Sequence, residues 1–290
     1  MYQEFSCDVC GSTLAVDVPY VRQYTGGQYI HICKTCGFIY VKKRRSYGTV
    51  ANEWSDAMAK KAYRATTPLM KARHTYVAEF LHQKVGLRGK RVCDIGAWNG
   101  RFLEILRNEY GAKVFGIEPS KAHCTLMKSH DIPCFRGAVE DYVMHKQQKR
   151  WADIVTMLWT LENTPAPKEM LRAAHTILKP RGHVVVATGS RILVPFAKPL
   201  SLYLGKNPVD THPSRFSFNT LTSLLRVCGF EAVHVSPYLN DGFLMCVIGR
   251  KAAVPKRPKI VKDDYRKVAA FFKKWHKDST WYDTRDARFF

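Results

Sequence analysis

Val92-Cys93-Asp94-Ile95-Gly96-Ala97-Trp98-Asn99-Gly100 is an apolar run broken by glycine, and the amphipathic Phe102-Leu103-Glu104-Ile105-Leu106 follows it. That order marks a buried strand, a tight turn and a helix start, the βα unit of an α/β sheet. Gly96 and Gly100 permit the turn and let a ligand approach bare backbone. Further on, Lys113-Val114-Phe115-Gly116-Ile117 forms a second strand pattern that ends at Glu118. An acid there is placed for ribose hydroxyls. The unit reads as a nucleoside site.

What is absent narrows the nucleoside. A dinucleotide pyrophosphate needs G-x-G-x-x-G on a helix N-terminus, and no third glycine follows Gly100. Asp94 sits on the strand before the turn, where it would repel a pyrophosphate and suit a cationic ligand. The stretch resembles motif I of the class I S-adenosylmethionine (SAM)-dependent methyltransferases, roughly D-x-G-x-G-x-G. Trp98 stands where that pattern has its middle glycine.

The order of the later segments carries the resemblance further. Trp151 to Trp159 reads as a buried strand, with Leu161-Glu162-Asn163 at its carboxyl end. Pro165-Ala166-Pro167 restarts the chain, Met170 to Leu178 is amphipathic, and Lys179-Pro180-Arg181-Gly182 turns into the strand His183 to Ala187. This is similar to the family's strand, "LEH"-like loop, helix, "LKPGG" turn and strand, with Asn163 in the histidine position. Phe216-Ser217-Phe218 opens a helix over Asn219 to Cys228. Gly229 to Val233 and Phe243 to Ile248 then form a closing hairpin around Asn240-Asp241-Gly242. Residues 86–250 therefore resemble a Rossmann-like α/β fold with a seven-stranded methyltransferase sheet, its last strand antiparallel.

The resemblance implies a SAM site. Motif I supplies Asp94, Ile95, Gly96, Ala97 and Gly100, and the second strand ends in Glu118 and Pro119. Val139 and Glu140 follow the third strand, whose loop frames adenine in the family, and Leu158 ends the fourth. Position 138, often Asp in relatives, is Ala here, which leaves adenine to backbone groups or Glu140; Asp141 lies beside it. For catalysis, His212 in Asp210-Thr211-His212-Pro213 is the first choice as general base and Glu162 the second. A loop histidine without a role is nonetheless the commoner case.

Cys7-Asp8-Val9-Cys10 and Cys33-Lys34-Thr35-Cys36 are two C-x-x-C knuckles with 22 residues between them. Four thiolates so spaced suit a tetrahedral structural zinc, and Gly11 and Gly37 allow the turns around the sulfurs. Tyr20 to Tyr24 and Gln28 to Ile32 around Thr25-Gly26-Gly27 predict a hairpin between the knuckles. This is a zinc ribbon, too small to fold without its metal. The remaining cysteines, at 93, 124, 134, 228 and 246, fall inside apolar segments, as expected in a reducing cytoplasm.

The expected organisation is a zinc ribbon over 1–45, a helical connector or lid over 46–85, a methyltransferase domain over 86–250 and a basic aromatic tail over 251–290. Tyr47, Tyr63 and Arg73 in or beside the lid are candidates to face the ligand. Length and 46% hydrophobic content allow one full α/β core. No stretch is long enough to cross a bilayer, and the first residues are no signal peptide. The expected location is cytoplasmic, with the membrane periphery left open by the tail.

Net charge is +22, from 46 basic and 24 acidic residues. Lys42-Lys43-Arg44-Arg45 follows the ribbon, and the tail holds twelve Lys or Arg against five Asp. Such a field draws polyanions: nucleic acid, anionic lipid headgroups or diphosphate-linked sugars. Val268 to His276 fits either a basic membrane-surface helix or one packed back on the core with solvated lysines. Three functions follow. A ribbon ahead of this core is similar to nucleotide-sugar, polysaccharide and natural-product methyltransferases, which implies O-methylation of a sugar, glycan or related small-molecule hydroxyl, with an anionic or phosphate-linked acceptor. An RNA methyltransferase would use the ribbon and basic surface, although no N-P-P-Y-type loop is present. A non-catalytic binding protein on a decayed core is the third.

Overall fold

The computed structural model describes residues 2–25, 29–46, 48–53, 67–146, 149–194, 198–204, 212–236 and 244–284. The N-terminal part comprises β1 (Tyr2–Glu4), β2 (Ala15–Asp17), α1 (Val21–Thr25), β3 (Ile30–Cys33), β4 (Ile39–Val41) and β5 (Lys43–Arg45). The expected strand over Tyr20 to Tyr24 is instead the helix α1. Val21 and Tyr24, one helical turn apart, bury themselves in one apolar cluster. The true hairpin partner of β3 is β2, with Val16 opposite Ile32. Gly26, Gly27 and Gln28 lie outside the described residues.

The lid begins with a helical run at 48–53 and continues as α2 (Pro68–Val85). Thr67 caps α2 by accepting from the Met70 amide, and Pro68 stands at the first helical position, where its missing N–H costs nothing. The core then runs β6 (Arg91–Ile95), α3 (Arg101–Asn108), β7 (Lys113–Glu118), α4 (Lys121–Ser129), β8 (Cys134–Arg136), α5 (Val139–Lys146), β9 (Ala152–Leu158), α6 (Pro167–Ile177) and β10 (Leu178–Thr188). It ends with α7 (Leu200–Leu204), β11 (Ser214–Arg215), α8 (Phe218–Val227), β12 (Phe230–Val235), β13 (Met245–Lys251) and α9 (Tyr265–Thr284).

Seven strands make one sheet in the order β12-β13-β10-β9-β6-β7-β8. β13 runs antiparallel to both neighbours, and the rest of the core is parallel. This is the Rossmann-like methyltransferase sheet. Its central strands read as near-continuous apolar runs because both faces are covered. Val92, Ile154, Val185 and Ile248 pack against α2 and α3. Their chain neighbours Cys93, Val155, Val184 and Val247 face α6 and α8.

The N-terminal part is fused to this core. β11 pairs antiparallel with β4, so the ribbon sheet has the order β11-β4-β3-β2. Ser214 lies opposite Tyr40 and Arg215 opposite Ile39, and the Val41 amide donates to the Pro213 carbonyl at 2.8 Å. Cys7, Cys33 and Cys36 join the same buried cluster as Leu171 and Phe216.

The basic run at 42–45 is not a free polyanion patch. It contains β5, paired with β1. Arg44 is fully buried, ion-paired to Asp8 at 2.7 Å, and donates to the Val41 and Pro165 carbonyls. Arg45 pairs with Glu53. The tail forms α9, longer than the expected Val268 to His276, and it packs back. Val268, Phe272 and Trp275 share one stripe and bury against Ile30, Ile32, Val41 and Leu200. Burial of Phe272 alone contributes ~2 kcal/mol. Lys273, Lys274 and Lys277 face solvent. No helix among the described residues is long and apolar enough to cross a membrane.

Candidate functional site

A cavity of about 490 Å³ opens at the carboxyl ends of β6, β7 and β9, beneath α2 and the 48–53 helix. Ligands of open α/β sheets bind at this end, and the volume suits one or two small molecules. Its floor is the turn after β6. Gly96 has φ 73°, and a Cβ there would meet the Thr160 side chain at 2.5 Å, so only glycine fits. Trp98 also takes a left-handed φ of 48°. Its amide donates to Oε2 of Glu118 at 2.9 Å, while the Ser120 amide donates to Oε1 at 3.0 Å. Two backbone bonds therefore lock the Glu118 carboxylate at the cavity wall. The Trp98 indole stands edge-on to His123 with 5.9 Å between centroids, and the cavity stays open beside it.

The wall includes Asp94, Ile95, Gly96, Ala97, Glu118, Pro119, Val139, Glu140 and Leu158. Gly100 is not among them. It is the left-handed N-cap of α3, and the space for a Cβ is taken by Met127. Asp94 accepts from the Thr156 hydroxyl at 2.6 Å. Burial pushes its carboxyl up to about 7, against the Thr156 bond and with the Glu118 charge. Glu140 is raised to about 7 by burial as well, and its Oε1 has no hydrogen-bond partner among the described residues. Ala138 lines the cavity; Asp141, one position beyond Glu140, does not.

Neither His212 nor Glu162 reaches this wall. His212, at φ 55°, places Nδ1 3.2 Å from the Ser190 hydroxyl. Burial and the nearby Arg215 and Lys198 charges hold its imidazole down to about 4. Glu162 is fully enclosed, and burial raises it to about 7. Its carbonyl accepts from the Ser214 amide at 3.4 Å, which ties the loop after β9 to β11. Tyr47 and Tyr63 lie outside the described residues, whereas Arg73 lines the cavity with its guanidinium 5.7 Å from the Trp159 ring.

One wall residue escaped the sequence reading. His74 of α2 sits between Phe102 and Trp159, 5.7 Å from each ring. Burial, then the Arg101 charge, lowers its imidazole to about 4, so it is neutral near pH 7, and its Nδ1 has no hydrogen-bond partner among the described residues. The signal was present: His74 lies on the buried stripe of α2 with Ala78 and Leu81.

The unpartnered polar atoms of Glu140, Asn163, Trp159 and His74 around this cavity are a donor and acceptor set that awaits a polar ligand. With the fixed carboxylate of Glu118 and the acid at Asp94, the set fits a cationic nucleoside. A model of the methyltransferase domain family matches residues 69–235. The chain belongs to this family. Its domain is that of a SAM-dependent methyltransferase.

Among curated relatives, the ubiquinone biosynthesis O-methyltransferase of Pseudomonas aeruginosa (strain PAO1) is 32% identical over 118 residues, 39% of this chain and 50% of that protein. Its namesake in Coxiella burnetii (strain Dugway 5J108-111) is 25% identical over 177 residues, 56% of this chain and 75% of that protein. The methyltransferase thus spans about half the length of the first relatives it matches. The solved putative methyltransferase in complex with the Haloferax volcanii Trm112 activator is similar in fold, with a TM-score of 0.54 and 16% identity over 70% of this chain and 98% of that one. The Burkholderia thailandensis 1,6-didemethyltoxoflavin-N1-methyltransferase, solved with S-adenosylhomocysteine, gives the same TM-score and identity over 77% and 98%.

A second constellation lies in the ribbon. The Sγ atoms of Cys7, Cys10, Cys33 and Cys36 all fall within 4.8 Å of one another. Cys7 and Cys36 are 3.5 Å apart, and Cys10 and Cys33 3.6 Å. A tetrahedral zinc with Zn–S near 2.3 Å separates its sulfurs by ~3.8 Å, so donor type, number and spacing are compatible with a small zinc ribbon.

Proposed function

We propose that this methyltransferase methylates a hydroxyl of a sugar or related small molecule, and that its ribbon holds one structural zinc. The observation that carries the reading is the aromatic cavity closed by α2, with a neutral histidine in its wall. When bound, SAM supplies a methyl on a sulfonium, a leaving group that departs uncharged.

The chain's own residues do the rest. Glu118 would accept from the ribose hydroxyls, its carboxylate held still by the Trp98 and Ser120 amides. Asp94 and Glu140 would hold the cationic and adenine portions, and the Arg73 guanidinium would pair with the carboxylate of the methionine part. Phe102, Trp159 and Met170 exclude water and orient the acceptor, and orientation is the largest contribution such a site can make. The acceptor hydroxyl must lose a proton as its oxygen gains the methyl. His74 takes it in this reading, because its imidazole is neutral and at the cavity wall, while His212 and Glu162 lie behind that wall. The ribbon (1–45), lid (46–85), catalytic part (86–250) and tail (251–290) act as one body, with Arg44 bracing Pro165 at the cavity edge.

The test is calorimetry with SAM followed by incubation of the labelled cofactor with nucleotide sugars, sugar phosphates and phenolic hydroxyl compounds. Label in an O-methyl product is expected. Absence of SAM binding, or label entering only RNA, would overturn the proposal.

A further inference from the structure

Arg215 is the residue that the proposed reaction leaves unused. It is buried, with 3% of its surface exposed, yet no carboxylate pairs with it among the described residues. Its Nη1 donates to the His212 carbonyl at 2.9 Å, and its guanidinium lies 5.6 Å from the centre of the Tyr203 ring. The Lys198 ammonium approaches the same ring at 5.4 Å. It too has no acidic partner among the described residues; the charge it feels is that of Arg215. His212 faces both cations and is neutral. Among the described residues the acid that Tyr203 feels is Glu162, whose carboxyl bonds toward Thr188 and the Gly189 backbone.

Two cations sharing one ring, one of them buried and neither paired with an acid among the described residues, are an arrangement that folding alone does not favour. The fully buried Arg44, by contrast, has Asp8. The position is also suggestive. β11 carries Arg215, Ser214 is tied to Glu162, and the next residue, Asn163, lines the cavity. The cluster therefore adjoins the methyl-transfer cavity at the carboxyl end of the sheet.

We infer that Arg215 and Lys198, with His212 and Tyr203 beside them, form an anion subsite that receives a phosphate or diphosphate group of the acceptor. A guanidinium fork grips two oxygens of a phosphate and an ammonium adds a point charge. A lone carboxylate would leave one cation without a partner. The inference rests on the proposed reaction only for the molecule that carries the anion; the subsite itself binds without methyl transfer.

The experiment is calorimetry on the full chain with S-adenosylhomocysteine present, titrating uridine diphosphate in one arm and glucose 1-phosphate in the other. At least one is expected to bind to the native chain, and Lys198→Gln to weaken it about tenfold or more. Arg215→Gln should weaken it further, with S-adenosylhomocysteine affinity unchanged in both variants. Lys198 is exposed, so its variant decides the matter if the buried Arg215→Gln chain fails to fold. Binding of both probes means that a phosphate monoester suffices; binding of the diphosphate alone points to a nucleotide-linked acceptor. The inference is overturned if neither probe binds while S-adenosylhomocysteine does, or if both variants bind as tightly as the native chain. It is equally overturned if only a single-stranded RNA oligonucleotide binds through these residues. Loss of S-adenosylhomocysteine binding by the native chain would instead count against the proposed reaction.

Discussion

The Trp98 amide points at Oε2 of Glu118 from 2.9 Å. A bulky residue in left-handed backbone, where glycine would rest without strain, thus aims the donor that fixes the carboxylate at the cavity wall.

Glu118→Gln tests this relationship. A carboxamide has one accepting oxygen, so either the Trp98 or the Ser120 amide would face an NH2 group instead. The expected cost is about 1–3 kcal/mol in stability, with at least a tenfold loss of SAM affinity. Thermal unfolding and calorimetry measure the two separately. Full retention of both would show that Glu118 is not the ribose anchor.

His74→Ala should lower turnover by roughly a hundredfold or more, in the range of lost general-base catalysis, and leave SAM affinity within a few fold. The native imidazole is protonated only below about 4. The acid limb of the rate profile should therefore fall near that value and not near 6.5. An acid limb abolished by His212→Ala and untouched by His74→Ala would reassign the base.

Glu162 gives a stability prediction with a definite sign. Its folded carboxyl titrates at about 7, above its ordinary value of 4.5. The folded chain holds a proton that the unfolded chain releases, so stability is lost as pH rises from about 4.5 through 7. Glu162→Gln removes this loss. The variant should be more stable than the native chain by ~1–3 kcal/mol at pH 8.5, with a smaller gain at pH 5. Denaturant unfolding at both values checks it.

Metal analysis should find one zinc per chain. Removing it with a chelator should raise amide exchange at Ser214 and Arg215 as well as around the cysteines, because β11 hangs on β4. Folded, metal-free protein with unchanged exchange at those two residues would dismiss both the zinc and the coupling.

Phe272→Ala should destabilise the chain by about 3–5 kcal/mol, as large buried aromatics do. Limited proteolysis should then attack α9 and the ribbon together. Cleavage confined to α9 would mean that the ribbon stands without it.

The sheet was legible in the chain because its central strands are covered on both faces, which writes Val92 to Ile95 and Ile154 to Leu158 as apolar runs interrupted only by Asp94 and Thr156. The turn at Gly96 was legible because a close approach excludes every side chain. Other features depend on partners far away in sequence. Arg44 reads as part of a solvated basic run, since nothing local announces Asp8 or Pro165 as its company. Ser214 and Arg215 form a strand only because Tyr40 and Ile39 offer an edge, and two residues carry no period. Tyr20 to Tyr24 suggested a strand by composition, but the three-residue spacing of Val21 and Tyr24 met a helix-shaped pocket. His74 carries no local mark of a site, since its setting is made by Phe102 and Trp159 from distant segments.

The borrowed strand β11 has an evolutionary corollary. A cut at residue 45 would not release two modules, because the amino-terminal piece would lose its outermost strand and the remainder would bare Pro213 to Arg215 as a sticky backbone fringe. Fragments expressed apart should clump or find each other again, and grafting this ribbon onto a foreign enzyme should succeed only if the host brings its own matching pair of residues.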